Sequence, residues 1–516
     1  MLLGDLLTRS AKWYANKTAT VYGETRLTYE QINRRTNALA NALQELGIKH
    51  QERVAIVCHN SHHCLEIVFA CAKIGAVATN LNWRLSPKEL GVLLNHSDAR
   101  VVFFSKRFEP FIESIRHELN SNIPFIAIDG PIEGMTDYEI FIENRVTEEP
   151  TAQVHYEDTV IQMYTSGTTG TPKGVMLTHK NMISHAFNTI IELQMRRDVV
   201  YLNVLPLFHV AFFAPVNCVF LGGTNVLLPD FDLDKILATI EKERITHVGF
   251  VPALVNFLVE HPKFEQYDLS SLQLIVYAAS PMPVPLLKRA MKRFNCNFAQ
   301  VFGMTETSPV THILIPEEHV LEGPEFKVRR LGSVGRSIIN VRSKVVDDRG
   351  NECPVGVVGE VVDAGDTIMK GYYKMPEATA ETIKDGWLHT GDMGYVDEYG
   401  YLYLADRKKD MIISGGENIY PTEVEMCILQ MEGVADVAVI GIPDKDWGEL
   451  VKAIVVQKPG YNLSAGEVIE HCKANIAGYK KPKSVDFIDM LPRNAVGKVQ
   501  KNVLRDPYWA GREKKI

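Results

Sequence analysis

A run of small polar residues between two apolar segments is the strongest chemical signal in the sequence. It reads Tyr164-Thr-Ser-Gly-Thr-Thr-Gly-Thr-Pro-Lys-Gly174. Glycines let backbone N–H groups converge on an anion, hydroxyls add hydrogen-bond donors, and Lys173 supplies a positive charge. The run lacks the Gly-Lys-Ser/Thr ending of a Walker loop, because Lys173 stands between Pro172 and Gly174. It therefore predicts a different kind of phosphate loop, with a flexible surface hairpin as the alternative.

Two further segments offer oxygens and charge to the same kind of ligand. Val301-Phe-Gly-Met-Thr-Glu-Thr-Ser-Pro309 ends a predicted strand, where Glu306 offers a hard oxygen to Mg²⁺ and Thr305 a hydroxyl to a phosphate. Trp387-Leu-His-Thr-Gly-Asp392 presents a carboxylate that can accept hydrogen bonds from both hydroxyls of a ribose, and Arg407 can donate to a ribose or a phosphate. A solvated loop glutamate, a turn-forming aspartate and a surface arginine are the alternatives.

A fourth segment lies near the carboxyl end of the chain. In Pro492-Arg-Asn-Ala-Val-Gly-Lys498, Gly497 frees the backbone to project the lysine side chain. Taken alone, Lys498 is interpreted as a solvent-exposed residue, and its importance rests on the resemblance described below.

Length and composition set the class of protein. At roughly 150 residues per domain, a chain of 516 residues predicts about three globular units. The 46% of hydrophobic and 23% of charged residues are typical of globular proteins, and a formal net charge of −8 disfavours nucleic acid as the main partner. Eight cysteines without a Cys-x-x-Cys pair indicate reduced core thiols. With no signal peptide or membrane span expected, the sequence predicts a cytoplasmic protein.

The elements that must position these segments alternate between short apolar strands and amphipathic helices. This alternation predicts an α/β fold with parallel sheets and crossover helices. Beyond about residue 320, shorter strands punctuated by glycines predict a small β-rich subdomain. Predicted strands cover 54–58, 100–104, 160–164, 199–205, 246–250, 272–278, 297–302, 341–346, 359–362, 435–441 and 451–457, and predicted helices cover 233–243, 252–260 and 284–294, with further helices capped by Thr28, Ser86 and Ser464.

A cluster of charges and glycines suggests where the chain divides. Asp406-Arg-Lys-Lys-Asp410 and the following Ser414-Gly-Gly-Glu417 are typical of a hinge. We therefore expect a large N-terminal domain over 1–406, a hinge over 407–410 and a small C-terminal α+β domain over 411–516.

In this order and at these separations, the four segments resemble the acyl-CoA synthetases of the adenylate-forming superfamily, which also contains luciferases and the adenylation domains of peptide synthetases. The resemblance runs from about residue 10 to residue 505. It implies a ligase in which a carboxylate attacks the α-phosphorus of ATP, giving an acyl-adenylate and pyrophosphate, before the acyl group passes to CoA with release of AMP. The motifs that carry it are the phosphate loop, Gly303-Met-Thr-Glu306, Thr390-Gly-Asp392, Arg407-Lys-Lys-Asp410 and Gly497-Lys498.

The resemblance implies roles for individual residues in the first step. Mg²⁺ would sit between the phosphates and Glu306, with Thr165 as a second oxygen. Lys498 would bridge the acyl carboxylate and the α-phosphate, where negative charge gathers at the reacting phosphorus. The other implied contacts are from Thr165, Ser166, Gly167, Thr168, Thr169, Lys173 and Thr305 to the phosphates, from Asp392 and Arg407 to the ribose, and from Ala279, Ser280 and Gln300 to the adenine and the adenylate.

For the second step, the resemblance implies that the C-terminal domain rotates about Lys409 and carries Lys498 away. Gly415 and Gly416 would then approach the pantetheine arm of CoA, since glycine permits close backbone approach. His209 matches the aromatic gate between the acyl pocket and the thiol channel, although a satisfied, partly buried histidine is the alternative.

One wall of the implied acyl pocket departs from the family pattern. Ala278 and Val301 stand where glycine is common, and both add methyl groups beside the acid, whereas the small Ala211 could open space on the other side. We therefore expect a short- to medium-chain fatty acid or a small hydrophobic or aromatic acid. The residues expected to line the pocket are His209, Ala211, Ala278, Val301, Pro309 and Val310.

Two other functions stay open at this point. An adenylation module that loads a carrier protein usually has proline at the position of Met304 and an aspartate near the gate, where this chain has Phe208-His209. A non-catalytic nucleotide-binding protein would be expected to lack Lys498, Glu306 or the loop. For a synthetase, the expected partners are a carboxylic acid, ATP with Mg²⁺, and CoA, with no nucleic acid or membrane span and with a homodimer as the candidate assembly.

Overall fold

The computed structural model describes residues 1–119, 123–165, 172–280, 282–407, 410–415, 417–445, 447–493 and 499–510, with the side chain of Arg407 left out. Several residues singled out above therefore lie outside the described residues. They are Ser166, Gly167, Thr168 and Thr169 of the loop, Lys409 of the expected hinge, Gly416 and Lys498.

Helices and short strands alternate along the chain, as its apolar pattern predicts. The α-helices are α1 (Leu3–Trp13), α2 (Tyr29–Glu45), α3 (His62–Ile74), α4 (Pro87–Ser97), α5 (Glu109–Ile115), α6 (Tyr138–Ile142), α7 (His179–Glu192), α8 (Phe213–Leu221), α9 (Leu233–Lys242), α10 (Pro252–Val259), α11 (Val284–Phe294), α12 (Glu325–Val328), α13 (Pro376–Thr382), α14 (Pro421–Ile428), α15 (Ala465–Asn475) and α16 (Lys501–Trp509). The predicted caps are confirmed: the side chains of Thr28, Ser86 and Ser464 accept hydrogen bonds from the backbone three residues on.

Strand boundaries agree with the predicted ones to within a few residues. The strands are β1 (Thr18–Tyr22), β2 (Thr25–Thr28), β3 (Arg53–Val57), β4 (Val77–Asn80), β5 (Ala99–Ser105), β6 (Phe125–Ile128), β7 (Thr136–Asp137), β8 (Thr159–Thr165), β9 (Lys173–Thr178), β10 (Val200–Asn203), β11 (Thr224–Leu227), β12 (His247–Phe250), β13 (Leu274–Tyr277), β14 (Asn297–Phe302), β15 (His312–Leu314), β16 (Arg336–Ser337), β17 (Val341–Val346), β18 (Gly359–Gly365), β19 (Gly371–Tyr372), β20 (Ile383–Lys384), β21 (Trp387–Val396), β22 (Leu402–Arg407), β23 (Ile412–Ser414), β24 (Glu417–Ile419), β25 (Val434–Asp444), β26 (Gly448–Gln457) and β27 (Ser484–Phe487).

Two large sheets carry the N-terminal part of the chain. Their strand orders are β16-β15-β14-β13-β12-β10-β11-β1-β2 and β19-β9-β8-β4-β3-β5-β6-β7. Interior neighbours such as β12 with β13 and β3 with β4 run parallel, which confirms the expected parallel-rich α/β fold. The pairs β8 with β9 and β14 with β15 are antiparallel, because the short segments that join them leave no room for a crossover.

Two smaller sheets follow. The first has the order β17-β18-β21-β20 with β22 beside β21, and it forms the β-rich subdomain expected from the change of sequence texture near residue 320. The second has the order β24-β23-β26-β25 with β27 beside β26, and α14 and α15 pack on its apolar core. None of the helices in the described ranges is long and apolar enough to cross a membrane.

The faces of the longer sheet are covered unequally. Side chains alternate between the two faces of a strand, so Val248, Ile275 and Phe298 point to one side and pack with α9, α10 and α11 in a closed core. On the other side, Val276 and Val301 stay half-buried although their strands lie inside the sheet. A second apolar cluster with Leu274 and Ala299 covers part of this face, and Val276 and Val301 pack at its edge. The face is therefore partly accessible next to the carboxyl ends of β13 and β14.

Candidate functional site

The predicted phosphate loop connects two antiparallel strands, β8 and β9. Thr165 ends β8 and pairs with Lys173, which begins β9. The Lys173 Nζ lies 4.6 Å from the ring centroid of Tyr372, a residue of β19, the next strand in the sheet. The ladder thus holds both ends of the loop in fixed positions.

The Glu306 carboxylate lies against the same tyrosine. Glu306 belongs to a 3-10 turn, Thr305–Thr307, directly after β14, and is 5% exposed. The Tyr372 hydroxyl donates to Glu306 Oε1 at 2.9 Å, and the backbone N–H of Met369 donates to the Glu306 carbonyl at 2.8 Å. The structure therefore brings two groups from different parts of the chain to one side chain, with Lys173 over the Tyr372 ring and Glu306 at its hydroxyl.

A glycine makes the turn before Glu306 sterically possible. Gly303 has a φ of 156°, and a Cβ at this position would lie 2.1 Å from the carbonyl oxygen of Pro309. The chain then returns to β15, where the Thr311 N–H donates to the Phe302 carbonyl at 2.8 Å. Pro309 is half-buried in this returning segment, and Val310 after it is buried.

Two buried carboxylates lie on neighbouring strands of the β-rich subdomain. Asp392 of β21 is 7% exposed and pairs in register with Arg407 of β22, the two residues expected at the ribose. Sequence reasoning missed Asp363 of β18, although an aspartate between Val362 and Ala364 in a strand is a readable signal. Burial raises the pKa of Asp363 to about 6; the nearby hydroxyls of Ser343 and Thr311 lower it, and the charge of Asp392 raises it further.

The residues expected near adenine lie at the carboxyl ends of β13 and β14. Gln300 is buried and pairs with Tyr277, while Ala279 and Ser280 follow β13 and are exposed. Ala279 has a φ of 74°, which turns the chain sharply at this sheet edge. Carboxyl ends of parallel strands are where ligands bind in open α/β sheets.

Asparagine side chains from the other large sheet hold the segment before His209 in place through hydrogen bonds. The Asn60 side chain donates to the carbonyl of Leu205 at 3.0 Å and accepts from the N–H of Leu207 at 2.9 Å, and Asn80 donates to the Leu207 carbonyl at 3.1 Å. The chain then enters the 3-10 turn that contains Ala211. His209 therefore lies where the two large sheets approach each other.

The His209 ring is neutral at physiological pH. Burial lowers its pKa to about 4, because a charged imidazolium is poorly solvated there. Among the described residues, no hydrogen bond reaches this ring. The described residues therefore provide no hydrogen-bonding partner for His209, as the alternative of a satisfied histidine would need.

Gly415 makes close contact with a tryptophan that sequence reasoning missed. Its φ is 61°, its N–H donates to the Trp447 carbonyl at 2.8 Å, and a Cβ would lie 2.6 Å from the indole ring. Trp447 is 57% exposed. An exposed aromatic ring on a bare backbone segment offers a flat apolar surface to a slim ligand.

The donor set suits one kind of metal ion. No group of three or more His, Cys, Asp or Glu side chains in the described part of the chain could hold a metal. Mg²⁺ needs no such cage, since it keeps several waters and is commonly held by one or two carboxylates plus substrate phosphates. The buried Glu306 carboxylate beside the loop fits that requirement.

Comparison with known proteins gives consistent matches along the chain. The sequence model of the AMP-binding enzyme family matches residues 7–373, and that of the AMP-binding enzyme C-terminal domain matches residues 423–498. The chain is 38% identical to an indoleacetate–CoA ligase of Aromatoleum aromaticum and 38% identical to a feruloyl-CoA synthase of an Amycolatopsis species, each over 98% of both chains. A crystal structure of an anthranilate CoA ligase in complex with anthranoyl-AMP superimposes with a TM-score of 0.91 at 30% identity, covering 98% of this chain and 97% of that one.

Asp363→Asn should stabilise the protein at high pH and much less at low pH. Because the pKa of Asp363 rises from 3.8 to about 6 on folding, its contribution lowers the stability as pH rises through that interval. The amide cannot ionise, so the gain in unfolding free energy should reach on the order of 3 kcal/mol at pH 8 and fall to about 1 kcal/mol at pH 4.5. Urea unfolding of both proteins at the two pH values measures this, and a pH-independent difference would contradict the raised pKa.

Proposed function

From the premise that the chain belongs to the AMP-binding enzyme family, we propose which of its residues carry the reaction and which acid it takes. The chain is an AMP-forming acid–thiol ligase, which activates a carboxylic acid with ATP, releases pyrophosphate and transfers the acyl group to CoA. The observation that carries the residue assignment is the contact of Tyr372 with both Lys173 and Glu306 at the base of the loop.

For the first step, the β8–β9 loop and Lys173 bind the β- and γ-phosphates of ATP. Glu306 and Thr165 would hold Mg²⁺, which neutralises charge on the phosphates when bound. Asp392 and Arg407 hold the ribose, and Lys498 meets the reacting carboxylate and α-phosphate. The support is that Lys173 and Glu306 lie on one ring and that Asp392 and Arg407 are register partners. Positive charge placed at the pentacoordinate phosphorus lowers the barrier electrostatically.

For the second step, residues 411–516 move relative to residues 1–406 about the hinge at 407–410, with Lys409 at the pivot. Gly415 and Gly416 then face the pantetheine arm, and the Trp447 ring on Gly415 adds an apolar wall. His209 separates the acyl pocket from the thiol channel. Its neutral, buried ring suits a gate that must not carry charge into an apolar pocket.

The acid is a short- to medium-chain fatty acid or a small hydrophobic or aromatic acid. Ala278 and Val301 both lie half-buried on the accessible face of the longer sheet. Their methyl groups narrow the proposed acyl pocket along this face. The relatives named for indoleacetate, ferulate and anthranilate support an acid of this size.

We also propose where the protein is located and how it assembles. A cytoplasmic location fits an enzyme that consumes ATP and CoA. A homodimer is the proposed assembly, which light scattering on the purified full chain measures directly.

Pyrophosphate release tests the function as a whole. With ATP, Mg²⁺ and a ladder of straight-chain and aromatic acids, release should require an acid, and adding CoA should yield the thioester and AMP. Release without transfer to CoA, but with transfer to a phosphopantetheinylated carrier protein, would favour the carrier-loading alternative. Absence of release with every acid would favour a non-catalytic nucleotide-binding protein.

Lys498→Ala should separate the two half-reactions. Loss of a positive charge at the reacting phosphorus should slow acid-dependent pyrophosphate release by about 10²–10³-fold, whereas transfer from a supplied acyl-adenylate to CoA should be largely retained. Single-turnover assays of each half-reaction measure this. Equal damage to both would contradict the proposed role of Lys498.

Tyr372→Phe should weaken adenylation and raise the Mg²⁺ concentration it requires. Loss of the hydrogen bond to the buried Glu306 carboxylate should slow pyrophosphate release by about tenfold at limiting Mg²⁺, since a hydrogen bond to a charged group contributes about 1.5–3 kcal/mol. Tyr373→Phe is the matched control, because that neighbouring hydroxyl donates to Asp98, a residue outside the proposed site, at 2.7 Å. Equal effects of the two substitutions on the Mg²⁺ dependence would argue against Glu306 as the ligand.

A further inference from the structure

The accessible face of the longer sheet carries the hydroxyl of Tyr201, a residue of β10. On this side Tyr201, Gly249, Val276 and Val301 are half-buried although they lie on interior strands. Leu274 and Ala299 on the same side are closed into a second apolar cluster, and Tyr201, Val276 and Val301 pack at its edge. Their neighbours on the opposite face are closed into the core formed with α9, α10 and α11. An accessible stripe in the middle of a sheet is a route for a ligand, and the valines make this one largely apolar.

The Tyr201 side chain crosses this stripe. A Cβ on Gly249 would lie 2.9 Å from the Tyr201 hydroxyl and 3.8 Å from Leu205 Cδ1, so the absence of a side chain at Gly249 is what gives the hydroxyl its place. Gly249 has no positive φ that would explain the glycine by backbone conformation. Because the Tyr201 hydroxyl approaches Gly249 so closely, a larger residue at this position would have to displace the hydroxyl.

The hydroxyl of Tyr201 is left unsatisfied by the protein. In the ranges that the structure describes, no hydrogen bond reaches it. Burial raises the pKa of Tyr201, so the hydroxyl stays protonated and can both donate and accept. The hydroxyl oxygen is not among the fully buried polar atoms, so a ligand that enters this face can reach it.

We propose that Tyr201 is a specificity-determining residue that hydrogen-bonds a hydroxyl or carbonyl group at the end of the acid opposite its carboxylate. The inference rests on the proposed function, because it requires the acid to lie along this face with its carboxylate towards the nucleotide. It narrows the substrate from any small hydrophobic acid to one with a polar far end.

The sheet geometry sets the length of that acid. Ala278 and Val301 lie one residue beyond the register pair of Tyr277 and Gln300, at the sheet edge where the nucleotide site begins. Gly249 pairs with Val276, two residues further from that edge. With about 4.8 Å between strands and about 3.3 Å per residue, Gly249, beside which the Tyr201 hydroxyl lies, is roughly 8–12 Å from Ala278 and Val301. A hydroxyphenylpropanoic acid or a hydroxylated medium-chain acid spans this distance.

Matched pairs of acids test the proposal. The pairs are 3-(4-hydroxyphenyl)propanoic acid with 3-phenylpropanoic acid, and 8-hydroxyoctanoic acid with octanoic acid, each assayed by pyrophosphate release on the full chain. The wild-type protein should prefer the hydroxylated member of at least one pair in kcat/KM. Tyr201→Phe should lower that preference about tenfold by slowing the hydroxylated acid while leaving the plain acid unchanged, as expected for loss of one hydrogen bond.

Two further variants test whether the effect of Tyr201→Phe on the preference for hydroxylated acids is only structural. Tyr277→Phe removes a buried hydroxyl on the opposite face of the same sheet, where it pairs with His319, and should leave the preference unchanged. Gly249→Ala leaves the tyrosine in place but displaces its hydroxyl, so it should also reduce the preference.

The outcomes separate the inference from the function it rests on. Release with the plain acids but no preference for a hydroxylated partner in the wild-type protein would overturn the inference alone. An unchanged preference in Tyr201→Phe would do the same. Absence of release with every acid of the wider ladder would contradict the proposed function and this inference with it.

Discussion

The site depends on holding carboxylates away from water at the place where separate sheets meet. A buried carboxylate is costly unless hydrogen bonds or opposite charges compensate it, so each one must be placed by the surrounding fold. Tyr372 does this for Glu306 through a 2.9 Å hydrogen bond, and β19 fixes Tyr372 by pairing with the phosphate-loop strand β9. The short strand β19 thus links the phosphate loop to the Glu306 carboxylate, the group that would hold Mg²⁺. Without β19, neither the loop nor the carboxylate would be held in its position.

The same logic applies to the acyl side. The carbonyl and N–H groups of the segment before His209 are satisfied by Asn60 and Asn80, which stand after β3 and at the end of β4. Backbone that lies between two sheets cannot be solvated by water alone. Side-chain amides therefore supply the hydrogen bonds that a neighbouring strand would otherwise provide. The position of His209, the proposed gate residue, therefore depends on both large sheets, although its ring remains neutral and free of hydrogen bonds within the described residues.

The longer sheet explains how one body can serve a polar nucleotide and an apolar acid. Its carboxyl edge presents Gln300 and the turn that carries Glu306, whereas its accessible face presents Gly249, Val276 and Val301. Alternation along the strands separates these environments by only a few residues. The half-buried Tyr201 adds a hydroxyl to this largely apolar face, and a polar group beside an apolar surface can select between substrates.

The sequence by itself determined the reaction class and the α/β alternation, and it predicted a set of site residues, because loop glycines, capping pairs and strand periodicity are local features that sit at fixed spacings. It also predicted Lys173, Glu306 and Asp392 as partners of one nucleotide. It could not pair Tyr372 with Lys173 and Glu306, Asp363 with Asp392 or Trp447 with Gly415, nor place Tyr201 over Gly249. Those contacts join residues on different strands or distant loops. Contacts of that kind depend on strand register and on the order of strands in a sheet, and only the tertiary structure decides either.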